Sequence, residues 1–171
     1  MTFFSGFSLQ GEESLFEAYQ TSSDFCVSGF SLGAIEAFEY TLASKRRIDK
    51  LQLFSPAFFQ DKEPTFKRVQ ALHFKKDKAL YVQNFLKNIA YPSHFDMTRY
   101  YHDSNSEDLH KLLHYEWSKE KLEELRARSI MIEVYLGERD KIIDAQKAKE
   151  FFKEYATVTW IKNAGHILNF L

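Results

Sequence analysis

A single cysteine, Cys26, is all that the 171-residue chain carries, so no internal disulfide can form and the cytoplasm is the expected compartment. An excess of one charge is missing too. The 23 lysine and arginine residues nearly balance 24 acids, and the formal net charge of −1 argues against a general nucleic-acid binder. No uncharged stretch approaches the length of a membrane span. The opening Met1-Thr2-Phe3-Phe4-Ser5-Gly6-Phe7-Ser8 has neither a basic leader nor a long apolar run, so no signal peptide is expected. Internal repeats and low-complexity segments are absent. What remains is ordinary for one globular domain, with 44% apolar and 27% charged residues. Aromatic content stands out: 17 Phe and 9 Tyr, enough to fill a core or line an apolar pocket.

Glycine is scarce, six in all, yet two of the six bracket one serine in Gly29-Phe30-Ser31-Leu32-Gly33. An apolar extended run, Phe25-Cys26-Val27, precedes this pentapeptide and a helix-forming segment follows it. That strand, sharp turn and helix form the context in which Gly-x-Ser-x-Gly carries chemistry. The tight turn lifts the Ser31 hydroxyl above the strand end, and glycines at either side let backbone approach without a Cβ clash. The helix start leaves free N–H groups, and that of Leu32 is placed to bind a developing oxyanion.

Strands are expected at residues 2–4, 24–28, 51–54, 129–136 and 158–161, and helices at 12–19, 32–42 and 145–155. Between about 58 and 128 the strand signal disappears in favour of helices at 65–74, 78–89, 108–115 and 119–126. The reading is one α/β domain with a mostly parallel sheet, its core at 1–57 and 129–171 and a helical lid inserted at 58–128. Ligands bind at the carboxyl ends of such strands. Ser31, Asp140 and His166 each follow a strand at that edge, which suits a nucleophile, an orienting carboxylate and a base. Asp144 and Glu138 are rivals for the acid. The turn Ser5-Gly6-Phe7-Ser8 sits at the end of the first strand, where it offers a backbone N–H to the same edge. Cys26, on the strand before Ser31, reads as a buried structural thiol. His110 and His114 share a helix face at a spacing able to bind zinc but lack the glutamate of a His-Glu-x-x-His site, while His73, His94 and His102 form no usable pattern.

The order Ser31, Asp140, His166 resembles that of the α/β-hydrolases, as do Ser5-Gly6-Phe7, Gly137-Glu138-Arg139-Asp140 and Gly165-His166. The resemblance implies an oxyanion hole from the backbone N–H groups of Phe7 and Leu32. Phe3-Phe4-Ser5-Gly6-Phe7, Val27-Ser28-Gly29-Phe30-Ser31, Leu53-Phe54-Ser55-Pro56 and Phe66-Lys67-Arg68 are similar to the pimeloyl-acyl-carrier-protein methyl ester esterases of biotin synthesis, especially the small BioV type. Compared with ordinary hydrolases, the chain lacks the strands that normally precede Thr2–Phe4 and the final helix after His166, so a sheet of about five strands is expected. The implied activity is demethylation of the pimeloyl chain while it is attached to acyl-carrier protein, with no metal or cofactor. Broader short-chain esterase or thioesterase activity, and a non-catalytic hydrolase-fold module, remain open beside it. Across residues 61–90 seven basic residues oppose three acids. By pattern alone this is either a solvated face or a docking face for an acidic partner; the resemblance favours docking of the carrier, through Lys67, Arg68, Lys75, Lys76 and Lys78. Phe66, Phe74, Phe85 and Phe95 are candidates to line an acyl tunnel.

Overall fold

A computed structural model describes residues 2–169. Five strands form one parallel sheet in chain order: β1 (Thr2–Phe4), β2 (Cys26–Phe30), β3 (Lys50–Phe54), β4 (Met131–Gly137) and β5 (Thr157–Ile161). Six α-helices accompany them: α1 (Leu32–Ala43), α2 (Pro64–Lys76), α3 (Lys78–Ala90), α4 (Ser106–His114), α5 (Lys119–Ala127) and α6 (Ala145–Phe152). The α/β expectation of about five parallel strands holds. None of these helices is long and apolar enough to cross a membrane.

The sheet's two faces follow from the alternation of side chains along each strand. Register places Val27, Gly29, Leu51, Leu53, Ile132 and Val134 on one face. There α1, α5 and α6 pack, with the strand residues almost wholly buried. The opposite face carries Ser28, Phe30, Gln52, Phe54, Glu133 and Tyr135. No long helix covers it. A short 3-10 helix, Glu12–Phe16, drops Phe16 between Phe30 and Phe54, each ring centroid 4.8 Å away. Beside this aromatic patch the Gln52 amide donates to Glu133 Oε2 at 2.8 Å, and Lys50 pairs with Glu133 Oε1 at 2.8 Å. Mixed polar and aromatic residues on a central parallel strand are thus satisfied rather than stranded, as burial demands.

Several elements differ from expectation: α6 ends at Phe152 rather than 155, β4 begins at Met131 rather than 129, and two further differences have a visible cause. The helix expected over 12–19 is the 3-10 helix alone: Gly11 enters it at φ 77° and no side chain caps it, so nothing propagates an α-helix. The nucleophile strand runs two residues later than 24–28, because the Phe25 carbonyl is taken by the N–H groups of Asp49 and Lys50 and the ladder begins at Cys26.

In the long insertion, local signals set the helix starts. Pro64 opens α2, the Asp77 carboxylate accepts from Leu80 N–H at 2.9 Å at the head of α3, and Asn105 with Asp108 forms a capping box on α4. Helix α2 packs on α3 and α4, while α5 returns to α1 and β4. The part standing off the sheet is therefore built from α2 to α4.

Candidate active site

The turn between β2 and α1 packs backbone closely against backbone. Ser31 sits at φ 54°, ψ −112°, a region that side-chain-bearing residues avoid. Such compression needs both flanking glycines. A Cβ on Gly29 would lie 2.1 Å from the Gly33 carbonyl oxygen, and one on Gly33 would lie 2.0 Å from that of Phe4. The backbone of Ser31 is pinned from the next loop, its N–H donating to Phe54 O at 3.0 Å and its carbonyl accepting from Ala57 N–H at 3.1 Å. Leu32 is the first residue of α1, so its N–H belongs to the first turn, which has no intrahelical acceptor.

Asp140 follows β4 and faces His166, with His166 Nδ1 at 2.6 Å from Asp140 Oδ2 and both side chains fully buried. The other oxygen, Oδ1, accepts the N–H groups of Ile142 at 2.7 Å and Ile143 at 3.1 Å. A carboxylate can only accept, so Nδ1 carries the hydrogen, and in the neutral imidazole that leaves the lone pair on Nε2. The rival acids are engaged elsewhere. Asp144 caps α6 through Lys147 N–H at 3.0 Å, and the exposed Glu138 accepts from Asn163 N–H at 3.0 Å.

His166 is held at three further points. The Ser55 hydroxyl donates to its carbonyl at 2.6 Å, the Phe30 ring lies 5.0 Å from the imidazole, and Gly165 is pressed under the Tyr91 carbonyl, where a Cβ would come within 1.6 Å of oxygen. The Phe54 carbonyl accepts the Ser31 N–H and the next residue, Ser55, holds His166, so the ends of β2, β3 and β4 and the turn after β5 stand at one edge of the sheet. There Ser31 Oγ and His166 Nε2 are both buried and neither has a hydrogen-bond partner.

Phe7 is buried beside this edge in the turn that follows β1, its ring against Phe74 at 6.1 Å and Phe85 at 5.4 Å. Those contacts close the insertion over the site. A cavity of about 600 Å³ lies between α2, α3 and α4, lined in part by Phe59, Phe66, Phe85 and Leu112 and bordered by Ile142, whose N–H holds Asp140. Burial pushes the Tyr81 hydroxyl on its wall up to about 12. A second cavity of about 640 Å³ lies across α3, where Phe95 joins Val82, Leu86 and Met97. Of the four phenylalanines expected in a tunnel, Phe74 lines neither, being packed on Phe7 and Tyr81.

The basic residues of the insertion divide. Arg68, Lys75 and Lys76 are exposed. Lys67, expected among the docking residues, does not reach that face: it is only 9% exposed and lies on the side of α2 towards His114 of α4. Lys78 is half-buried, paired with Asp103 at 2.6 Å and set over the Phe74 ring. His110 and His114 stack at 4.3 Å, and no cluster of three or more histidine, cysteine or acidic side chains suited to a metal occurs among the described residues. The Cys26 thiol is buried, and that burial raises it to about 11. Residue reasoning missed Ser55 as a brace for His166. Its position directly after β3, at the same sheet edge as the other three, was the available signal.

No family model and no curated protein matches the chain. Solved structures do. Est816, an N-acyl homoserine lactone degrading enzyme, superposes with a TM-score of 0.66 at 12% identity over 99% of this chain and 86% of its own. MenH from S. aureus gives 0.62 at 15% identity, covering 98% and 87%. The fold is that of the α/β-hydrolases. BioG from Haemophilus influenzae is a further match to the hydrolase fold, at 0.61 and 12% identity over 97% and 87%. The chain spans about half of naproxen esterase from Bacillus subtilis, covering 53% of it at a TM-score of 0.54 and 20% identity. Ser31, Asp140 and His166 stand at the carboxyl edge of the sheet, the edge at which parallel α/β sheets bind ligands.

Proposed function

We propose that the chain is a serine carboxylesterase that hydrolyses the methyl ester of a pimeloyl chain carried on acyl-carrier protein. The observation that carries the esterase reading is that Ser31 Oγ and His166 Nε2 are both buried without a hydrogen-bond partner while the Asp140 carboxylate holds Nδ1 of the same imidazole. Burying unpaired polar atoms costs free energy, and proteins retain them where chemistry uses them.

Ser31 attacks the ester carbonyl as His166 Nε2 takes its proton, and the Asp140 carboxylate stabilises the imidazolium. The N–H groups of Leu32 and Phe7 receive the oxyanion, each worth about 100- to 1000-fold in rate in comparable holes. His166 returns the proton to the departing methoxide, methanol leaves, and water repeats the sequence to free the acid. The substrate assignment draws on the sequence similarity described above and on two features that suit it: a cavity of about 600 Å³ of mixed polar and apolar lining that includes Ile142 of the Asp140 loop, and the exposed cations Arg68, Lys75 and Lys76 of the insertion.

Ser31→Ala tests the chemistry and should abolish demethylation of the carrier-linked ester and labelling by a fluorophosphonate. Reversing Arg68, Lys75 and Lys76 to glutamate tests the partner. KM for the carrier-linked ester should rise while kcat/KM on a free short-chain ester is unchanged. Equal effects on both substrates would favour the second reading, a general carboxylesterase, which the likeness to several carboxylesterase structures also supports.

A further inference from the structure

Glu12 is a carboxylic acid with no accessible surface, whereas the neighbouring acids Glu13 and Glu17 are exposed. Burying such a group costs several kcal/mol unless its oxygens are bonded. One oxygen is: Oε1 accepts the Gly6 N–H at 2.6 Å. Oε2 is buried without a hydrogen-bond partner. Burial pushes the group's pKa up and Glu13 adds to that, while the Gly6 and Glu12 N–H groups and the Ser5 hydroxyl hold it down. Gly11, at φ 77°, turns the chain back so that Glu12 lies under the turn that follows β1.

That turn carries Phe7. We propose that Glu12 is a positioning residue for the oxyanion-binding turn, holding the Gly6 backbone so that the Phe7 N–H is presented to the reacting carbonyl. The proposal rests on the esterase reading for what the N–H binds, though not for how the turn is held. The peptide linking Gly6 to Phe7 is planar and trans, so its carbonyl and its N–H point in opposite directions. Leu9 N–H donates to the Gly6 carbonyl at 3.1 Å, which sets one end of that plane. Glu12 sets the plane before it by taking the Gly6 N–H. The far side of the turn is stitched to the insertion: Gln10 N–H donates to Tyr100 O at 2.8 Å, His102 N–H donates to Ser8 O at 3.0 Å, and the Ser8 and Ser104 hydroxyls are hydrogen-bonded. Gly6 also lies close to the Phe30 ring, which a Cβ at that position would meet at 2.8 Å. Of two successive N–H groups, Glu12 occupies the first and leaves the second for substrate.

Glu12→Leu removes the acceptor at similar volume, and Glu12→Gln keeps a carbonyl facing Gly6. On p-nitrophenyl butyrate, Glu12→Leu should lower kcat about 10- to 100-fold with KM within about threefold, because a displaced donor weakens the transition state more than the ground state. Glu12→Gln should recover to within about tenfold of the wild-type kcat, a neutral acceptor being weaker than a carboxylate. Amide hydrogen exchange should accelerate at Gly6 and Phe7 in Glu12→Leu while core strands keep their protection. A lower melting temperature with unchanged kcat and unchanged exchange at Gly6 and Phe7 would overturn the role. Should Glu12→Leu not fold, Glu12→Ala, which also removes the acceptor, decides: wild-type kcat together with wild-type exchange at Gly6 and Phe7 refutes it. If the wild-type protein neither hydrolyses esters nor takes up a fluorophosphonate, the esterase reading fails, and exchange at the two amides still settles whether Glu12 holds the turn.

Discussion

Replacing Asp140 with asparagine changes one atom's hydrogen-bonding sense and leaves the shape alone, and the structure dictates which way the new amide must face. Oδ1 accepts two backbone N–H groups, those of Ile142 and Ile143. An NH2 in that place would leave two donors facing two donors, at about 1–3 kcal/mol for each buried group left unsatisfied. The amide oxygen therefore stays with the backbone, and the NH2 is forced towards His166 Nδ1, where the carboxylate oxygen lies at 2.6 Å. Nδ1 must then accept, the imidazole hydrogen moves to Nε2, and the base loses the lone pair that takes the Ser31 proton. The wrong tautomer is favoured by roughly 2–6 kcal/mol on this count, which corresponds to a fall in kcat of about 30-fold to more than 10,000-fold. KM should stay within about threefold, since the tautomer leaves ground-state binding alone. Steady-state hydrolysis of a chromogenic ester gives both constants, and nitrogen-15 correlation spectra of the imidazole report which nitrogen is protonated. An asparagine variant that keeps more than a tenth of wild-type kcat, or whose imidazole keeps its hydrogen on Nδ1, would refute the argument.

Other perturbations have equally definite outcomes. Ser31→Gly should be more stable to urea than Ser31→Ala by about 1 kcal/mol or more, because glycine accepts the φ of 54° that alanine does not, while both are inactive. Gly165→Ala should lower the melting temperature sharply and inactivate the protein, since its Cβ would need the Tyr91 carbonyl, 1.6 Å away, to move along with the segment leading to His166. Cys26 is raised from 9.0 to about 11, so above pH 9.0 the unfolded chain sheds a proton that the folded chain keeps. Its contribution to stability is thus intact below pH 9.0 and lost as pH rises towards 11, and urea midpoints measured across that interval should fall less steeply in Cys26→Ala than in wild type.

The parts of the molecule that were legible in the sequence are those governed by local rules. Gly29 and Gly33 announced the turn because only a residue without a Cβ tolerates such close backbone, and the apolar runs before Ser31, Asp140 and Asn163 placed three strand ends at one edge. The insertion's helices were visible as the stretch in which the strand signal disappears. What escaped was set by tertiary contact. Lys67 belongs to a basic run that looks solvated, yet the packing of α2 on α4 turns it inward. The segment from Glu12 has helical spacing and acidic residues in its first turn, but Gly11 and the need to drop Phe16 into the sheet leave only a 3-10 helix. Ser55 and Glu12 act through partners 111 and 6 residues away, and neither pairing has a sequence signature.

The burial of the reacting pair has a kinetic consequence. Ser31 and His166 have zero exposure, so a reagent meets the serine only when the structure packed around it opens. Inactivation by a fluorophosphonate should therefore climb with concentration only to a ceiling. That ceiling is the opening frequency itself, the same for a fast reagent as for a slow one, so a simple titration of inhibitor would time that breathing.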